Sequence, residues 1–387
     1  MKKYGIITHY HISNHGAMLQ LQALIHVLKS LGIEAKALRF EKSFDFIEEE
    51  TRNKYRISLR SVPFFLKFLF ENGLRKTWFN YQKIRKFNRF KKDSQIIGEY
   101  YSLAKGLDGV IVGSDEVFAL HTGPTPAFFG HACPTENILA YAASFGPTNY
   151  EDIERLHCIP FVKSGLESMK VISVRDNNTA DIVEKLTGKK PQKVCDPVIL
   201  YGYQKEIEGF GKLNHQPYLL IYAYDNNMND PVEVDMIKTF AKKHGLKIVA
   251  PGFYHSWCDE MVNAGPIEIL RYFKNADFIV TDTFHGSVMS LITNRNFAVI
   301  TRNNKNKLVN LLDEYGQVGR ILSEDVTLDS LYEQPIDYTT VNAEMDKRRK
   351  ESLEYLSLSL TLPRREGTLS SSSLSSSLSS SLEKHEY

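Results

Sequence analysis

The segment TDTFHGS, residues 281–287, carries the sharpest chemical signal in the sequence. It follows the apolar run Phe278-Ile279-Val280 and precedes the helical stretch 288–292, which puts His285 at the carboxyl end of an expected strand. Ligands bind at that edge in open α/β sheets. Gly286 and Ser287 then open a helix, where bare backbone N–H groups and the helix dipole favour an anion. An imidazole titrates near neutral pH, which suits proton transfer at a reacting group. Taken alone, the heptapeptide fits equally well a histidine whose ring only bonds a neighbouring carbonyl.

Three other segments offer complementary groups. In VGSDEVF, residues 112–118, the carboxylates of Asp115 and Glu116 suit sugar hydroxyls, although Ser114 or Asp115 can also cap the next helix. Arg175, in Val174-Arg175-Asp176, is a planar, permanently charged fork suited to phosphate or carboxylate; a surface Arg–Asp pair is the plainer alternative. In NHGAMLQ, residues 14–20, Asn14 and Gln20 offer side-chain amides to a sugar, while Asn14 or Ser13 serves equally as an ordinary helix cap. Cys195-Asp196-Pro197-Val198 reads as a strand end turning at proline.

The elements that must position these groups alternate between strand and helix. Residues 4–8 read as a first strand and 17–31 as a helix with Leu21, Leu24, Ile25 and Leu28 on one face, stopped by Gly32; 34–38 read as a second strand. That order predicts a parallel wound sheet, continued by strands at 109–112, 138–142 and 171–174. A second wound unit begins near Gln216, with strands expected at 218–222, 247–250, 278–281 and 297–301. The expected organisation is a first unit over 1–205, a second over 206–345, an amphipathic helix over 346–362 and a Ser/Leu-rich tail over 363–387 that should not fold alone. The first unit is interrupted over about 50–95, where residues 52–92 hold thirteen Lys/Arg and one acid, Glu71.

Composition sets the outer limits. At 387 residues the chain exceeds one ordinary hydrophobic core, and 42% hydrophobic with 24% charged residues is the balance of a globular protein. A net charge of +2 and the lack of a known binding motif argue against nucleic acid as a partner. The four cysteines form no CxxC pair, which argues against a zinc site or a disulfide framework, and no other metal cluster is visible. Met1-Lys2-Lys3 runs directly into strand-like residues and not a signal-peptide core, and no apolar run approaches the ~20 residues that span a bilayer. The expected location is cytoplasmic.

In this order the segments resemble the polysaccharide pyruvyl transferase family: NHGAMLQLQAL, VGSDEVF, YAASFG, SVRD, CDPVIL, TDTFHG and LLDEYGQVGRIL, spread over residues 2–322. Three positions depart from the family's pattern. Glu116 and Phe118 stand where members often have Gln and Trp, and Thr283 stands where many carry Arg.

The resemblance implies a fold similar to the two-domain GT-B glycosyltransferases, with two Rossmann-like units facing across a cleft. It implies a reaction that consumes phosphoenolpyruvate as co-substrate, releases phosphate and bridges two hydroxyls of one sugar with a pyruvate ketal, without a cofactor or a metal. His285 would be the acid/base by its match to the family's histidine. Arg175, Arg302, Lys305 and the Gly286-Ser287 amides are the candidates for the donor's phosphate and carboxylate. Asn14, Gln20 and Asp115 are those for the acceptor sugar. Such acceptors are often carried on a polyprenyl diphosphate at the inner membrane face. There the basic stretch 52–92, with Phe64, Phe65, Phe68, Phe70, Trp78 and Phe79, either touches an anionic surface or packs as helices on the first unit. Two alternatives stay open: a GT-B glycosyltransferase using a nucleotide sugar, and a carbohydrate-binding protein without catalysis.

Overall fold

The computed structural model describes residues 1–47, 62–213, 216–302 and 305–361, with the side chains of 62–72 and 305–306 left out of the description. Two parallel sheets organise the chain. The first joins β1 (Lys2–Ile7), β2 (Ile33–Arg39), β3 (Ile97–Tyr100), β4 (Gly109–Val112), β5 (Ile138–Ala143), β6 (Val171–Val174) and β7 (Gln192–Lys193) in the order β3-β2-β1-β4-β5-β6-β7. The second joins β8 (Tyr218–Tyr222), β9 (Lys247–Pro251), β10 (Glu260–Val262), β11 (Phe278–Thr281) and β12 (Phe297–Val299) in the order β10-β9-β8-β11-β12. Each order reverses beside its first strand, at β1/β4 and at β8/β11, and such reversals open the crevices where ligands sit. The central strands β4, β5, β8 and β11 are buried along their whole length, as expected of parallel strands covered on both faces. This is the expected α/β, GT-B-like arrangement of two Rossmann-type lobes.

The largest core cluster runs through both lobes, from Leu24 and Ile111 in the first to Tyr222, Phe273 and Leu291 in the second. The helix Tyr338–Thr361 returns to the first lobe: Arg349 Nε donates to the Ile199 carbonyl at 2.6 Å and Ser352 Oγ receives the Cys195 N–H at 3.0 Å. It starts before the expected position 346 because Asp337 receives both the Thr339 N–H and the Thr340 hydroxyl, each at 3.0 Å. A second correction concerns Cys195-Asp196-Pro197. The strand ends earlier, at Lys193, and Pro197 opens a short helix, Pro197–Tyr201, capped by the Asp196 side chain. The Ser/Leu tail lies outside the described residues.

The basic segment forms the helix Val62–Asp93, broken at Gly73 (φ 69°, ψ 167°). Phe79 and Phe87 are buried, Phe87 against His15, and Phe79 reaches beyond the first lobe: it meets the Tyr254 ring, and its carbonyl receives the Asn263 amide at 2.8 Å. Phe64, Phe65, Phe68 and Phe70 fall outside the described side chains. The opposite face leaves Leu74, Trp78, Tyr81 and Ile84 exposed beside Arg85, Arg89 and Lys92. Among the described residues no helix is long and apolar enough to cross a membrane.

Candidate active site at the seam of the lobes

β11 delivers His285 through a compact capping turn. Thr283 Oγ1 receives the Gly286 N–H at 2.9 Å and so starts the helix Phe284–Ile292, while Thr281 Oγ1 donates to the Tyr222 carbonyl at 2.6 Å. A Cβ on Gly286 would overlap both threonine hydroxyls, so only glycine fits beneath the turn. The imidazole of His285 crosses to the first lobe and lies on Gly16, where any side chain would collide with the ring. His285 is 9% exposed, and its Nε2 has no hydrogen-bond partner. That atom stands 3.6 Å from Asp196 Oδ2, an ion-pair distance longer than a hydrogen bond.

The first lobe supplies the rest from the carboxyl ends of β4, β6 and β7. Arg175 is buried and extends Nη1 to Asp196 Oδ2 at 2.8 Å and Nη2 to Asp115 Oδ1 at 2.9 Å. Its guanidinium lies 4.3 Å from the centre of the Phe284 ring, so the residue beside His285 is also its platform. The other oxygen of Asp196 receives the Val198 N–H at 2.9 Å. Burial would raise the Asp115 carboxyl, but Arg175, with His285 and His9 behind it, holds it well below the usual carboxylate range. Burial opposes ionisation of Asp196 too, and the His285 ring and the Arg175 charge override it. Both acids are therefore carboxylates, and Arg175 stays charged between them despite its burial.

The other expected residues divide. Gln20 is fully buried and wholly engaged: Nε2 donates to Thr8 Oγ1 at 2.8 Å and to the Ala17 carbonyl at 3.1 Å, and Oε1 receives the Ser114 N–H at 3.2 Å. It shapes the loop that presents Asp115 and has no group left for a sugar. Asn14 caps the helix His15–Ser30 through the Ala17 N–H at 3.2 Å and points its amide nitrogen at Tyr224 of the second lobe, 3.5 Å away. The Gly286 amide is spent on Thr283 Oγ1 and the Ser287 amide on the Thr283 carbonyl at 3.1 Å, so neither is bare as the sequence led us to expect. Arg302 binds Glu233 through two nitrogens (2.9 and 2.7 Å) and Asp282 through a third at 3.0 Å, within the second lobe and apart from Arg175. The Lys305 side chain lies outside the described residues.

Two partners went unread in the sequence. Asp196 stood in a quoted motif, but its chemistry depends on three elements meeting around it. Lys307 of the second lobe pairs with Glu116 of the first, and no local pattern marks it. Among the described residues no group of three or more His, Cys, Asp or Glu is placed to hold a metal ion.

The fold and this site can be set beside known proteins. Comparison with curated protein sequences finds no match. Among solved structures, the S. aureus MnaA–UDP co-structure is 12% identical, with 95% of this chain and 99% of that one covered and a TM-score of 0.50. A Methanocaldococcus jannaschii UDP-GlcNAc 2-epimerase in complex with UDP-GlcNAc and UDP is 14% identical, with 93% and 99% covered and a TM-score of 0.46. At such identities the first shows a shared fold and nothing about chemistry. The sequence itself matches one family over residues 14–304, a span that holds Arg175, Asp196 and His285. The chain belongs to the polysaccharide pyruvyl transferase family.

Proposed function

We propose that this enzyme moves the pyruvyl group of phosphoenolpyruvate onto two hydroxyls of one sugar, forming a pyruvate ketal during polysaccharide biosynthesis. The supporting observation is the meeting of an unpartnered His285 Nε2 with the buried Arg175–Asp196 pair where the lobes join. In the reaction the first hydroxyl oxygen bonds to the enol carbon while a proton goes to the methylene, which becomes the methyl group. The bond from that carbon to the phosphate oxygen then breaks, and the second hydroxyl closes the ring. Of the two hydroxyl protons, one is balanced by the new methyl hydrogen and one leaves with phosphate. His285 Nε2 carries the proton to or from the reacting atoms, a role worth about 10²- to 10⁴-fold in rate. Asp196 stabilises the ring while it is protonated.

Arg175 receives an anionic group of the donor by exchanging a partner. Asp115, whose side chain is 16% exposed against 1% for Asp196, is the one on the open side. Once displaced, its carboxylate is free to accept hydrogen bonds from the acceptor's hydroxyls. Arg302 would have to leave Glu233 and Asp282 to help, and Lys305 stays a further candidate for the phosphate. The reading includes a polyprenyl-diphosphate-linked acceptor met at an anionic membrane surface, supported by the apolar and basic outward face of the helix Val62–Asp93.

Thermal unfolding with and without millimolar phosphoenolpyruvate tests the donor assignment. A ligand present at ~100 times its Kd stabilises the native state by about 2.7 kcal/mol, and we expect an upward shift in wild type that Arg175→Ala, compared with its own ligand-free midpoint, does not show. A shift with uridine nucleotides and none with phosphoenolpyruvate would point to nucleotide-sugar chemistry instead.

A further inference from the structure

Beside the Arg175 site, the carboxyl ends of β1 and β2 gather a second set of basic groups that the reaction above does not use. His9 and His11 follow β1, with ring centroids 5.8 Å apart. Phe40, at the end of β2, packs edge-on to His11 (5.8 Å) and to Phe128 (4.8 Å), and Phe128 in turn packs on His9 (4.9 Å). Lys42 follows two residues later. Its segment is pinned to the loop after β4: the Ser43 N–H donates to Thr125 Oγ1 at 3.0 Å and the Phe46 N–H to the Thr122 carbonyl at 3.2 Å, which brings Lys42 beside His121. Burial lowers the pKa of all three histidines, that of His11 to about 3, and the Lys42 charge adds to the effect on each; Lys91, in the last turn of the helix Val62–Asp93, adds to it on His11.

The charges of Asp115 and Glu116 act on Lys42 and His9, and that of Glu116 on His121, but neither carboxylate is paired with this set. The nearby carboxylates Asp115 and Glu116 are already paired with Arg175 and Lys307, and among the described residues no acid stands within ion-pair distance of Lys42. His9 is 7% exposed; its Nε2 meets the Glu116 carbonyl at 3.2 Å, while its Nδ1 has no partner. His11 and His121 are exposed and Lys42 is half-buried, so the set forms a mouth open to solvent with His9 at its floor. Lys42 supplies a charge without an ion-pair partner, and the neutral imidazoles near it supply ring N–H donors, a combination suited to receiving an anion. The His9 and His11 rings alone stand nearly 6 Å apart, a separation that suits the several oxygens of two linked phosphoryl groups.

We propose that His9, His11, Lys42 and His121 bind the phosphate or diphosphate through which the acceptor sugar is carried, in a subsite separate from that of the donor. The ligand's identity rests on the pyruvyl-transfer reading; the anion site itself does not. The two sites share the strip Asp115-Glu116, whose side chains face Arg175 and Lys307 while the Glu116 carbonyl holds His9. A sugar whose carrier phosphates sit on the histidine side would thus present its hydroxyls toward Asp115 and His285. The enzyme would act on activated, carrier-linked sugars and not on the neutral ends of finished polymer.

Calorimetric titration of the full chain with inorganic pyrophosphate, and separately with phosphoenolpyruvate, tests this. Removing charge-assisted hydrogen bonds to a phosphoryl group in the variant Lys42→Gln/His121→Gln should weaken pyrophosphate binding about 10- to 100-fold. Phosphoenolpyruvate binding in the same variant should stay within about twofold of wild type, which also shows that the variant is folded; Arg175→Ala should do the reverse. Uridine diphosphate and geranyl diphosphate then separate the sources: tighter binding than pyrophosphate by the first marks a nucleotide carrier, by the second an isoprenyl one. Pyrophosphate binding that is absent, or that survives Lys42→Gln/His121→Gln and disappears with Arg175→Ala, overturns the subsite. Failure of the pyruvyl-transfer reading would show separately, as absence of phosphoenolpyruvate binding to wild type.

Discussion

Asp196 answers to four groups at once: the Arg175 guanidinium, the His285 ring, the N–H of Val198 and the Ser114 hydroxyl. Asparagine there keeps the size and one acceptor but removes the charge that the proposed reaction sets against the His285 ring. We expect Asp196→Asn to lower turnover about 10²-fold or more while the chain still folds, as read by steady-state rates beside circular dichroism. Asp196→Ala should in addition cost on the order of 3–5 kcal/mol in denaturant unfolding, because it breaks a buried ion pair. Gly16 gives a different test, since it touches no substrate in this account and only seats the imidazole. Gly16→Ala should displace the ring and depress turnover, at a stability cost of about 1–3 kcal/mol. His285 and Arg175 were legible in the sequence because each follows an apolar run and carries its chemistry by residue type. Asp196 read as a turn because its own neighbours show only a proline, and nothing local marked Gly16 because the ring that covers it comes from the other lobe.

At the scale of elements, the long interior strands announced themselves by unbroken apolar runs, whereas β3 and β10 did not. β3 carries a glycine and a glutamate in four residues and β10 has three residues, all half-buried, so neither shows a period. The helix Val62–Asp93 was visible as a basic, aromatic stretch, but which aromatics face inward was not. Phe79 and Phe87 lie on one face with Lys83, and Trp78 and Tyr81 on the other, a division that only the 3.6-residue period and the neighbouring lobes create. If the outward face meets anionic lipid, the chain should sediment with vesicles containing phosphatidylglycerol and release as salt rises. Each basic residue near such a surface contributes about 1 kcal/mol, so Arg85→Ser/Arg89→Ser/Lys92→Ser should weaken vesicle binding roughly a hundredfold. Binding unchanged by that triple substitution and by Trp78→Ser would leave this face with no lipid role.

Across the whole molecule, His15 is a buried contact between the lobes. Its ring is fully buried among Phe87, Tyr222 and Phe253, and Nε2 meets the Ala264 carbonyl at 3.2 Å. Burial, helped by the Lys83 charge, pushes its pKa down to about 3. A histidine of ordinary pKa, near 6.5, in the unfolded chain then binds a proton that the folded chain refuses. Its stabilising contribution is therefore complete above pH ~6.5 and is lost as pH falls toward ~3, at up to about 1.4 kcal/mol per pH unit. Urea unfolding between pH ~8 and ~4 should show that decline, and His15→Leu should flatten it. Asp115, held low by Arg175, and Asp196, held low by His285 and Arg175, lose their contributions at still lower pH, below the ordinary carboxylate range.

The central claim, pyruvyl transfer at the His285–Arg175–Asp196 seam, is tested most directly by incubating the enzyme with phosphoenolpyruvate and a panel of nucleotide-linked and isoprenyl-diphosphate-linked sugars. Phosphate release and the ketal methyl signal are followed together by nuclear magnetic resonance. A ketal product should form one-for-one with phosphate and fall by about 10²-fold or more in His285→Gln. Consumption of a nucleotide sugar without phosphoenolpyruvate, or ketal formation undiminished in His285→Gln, would contradict the claim.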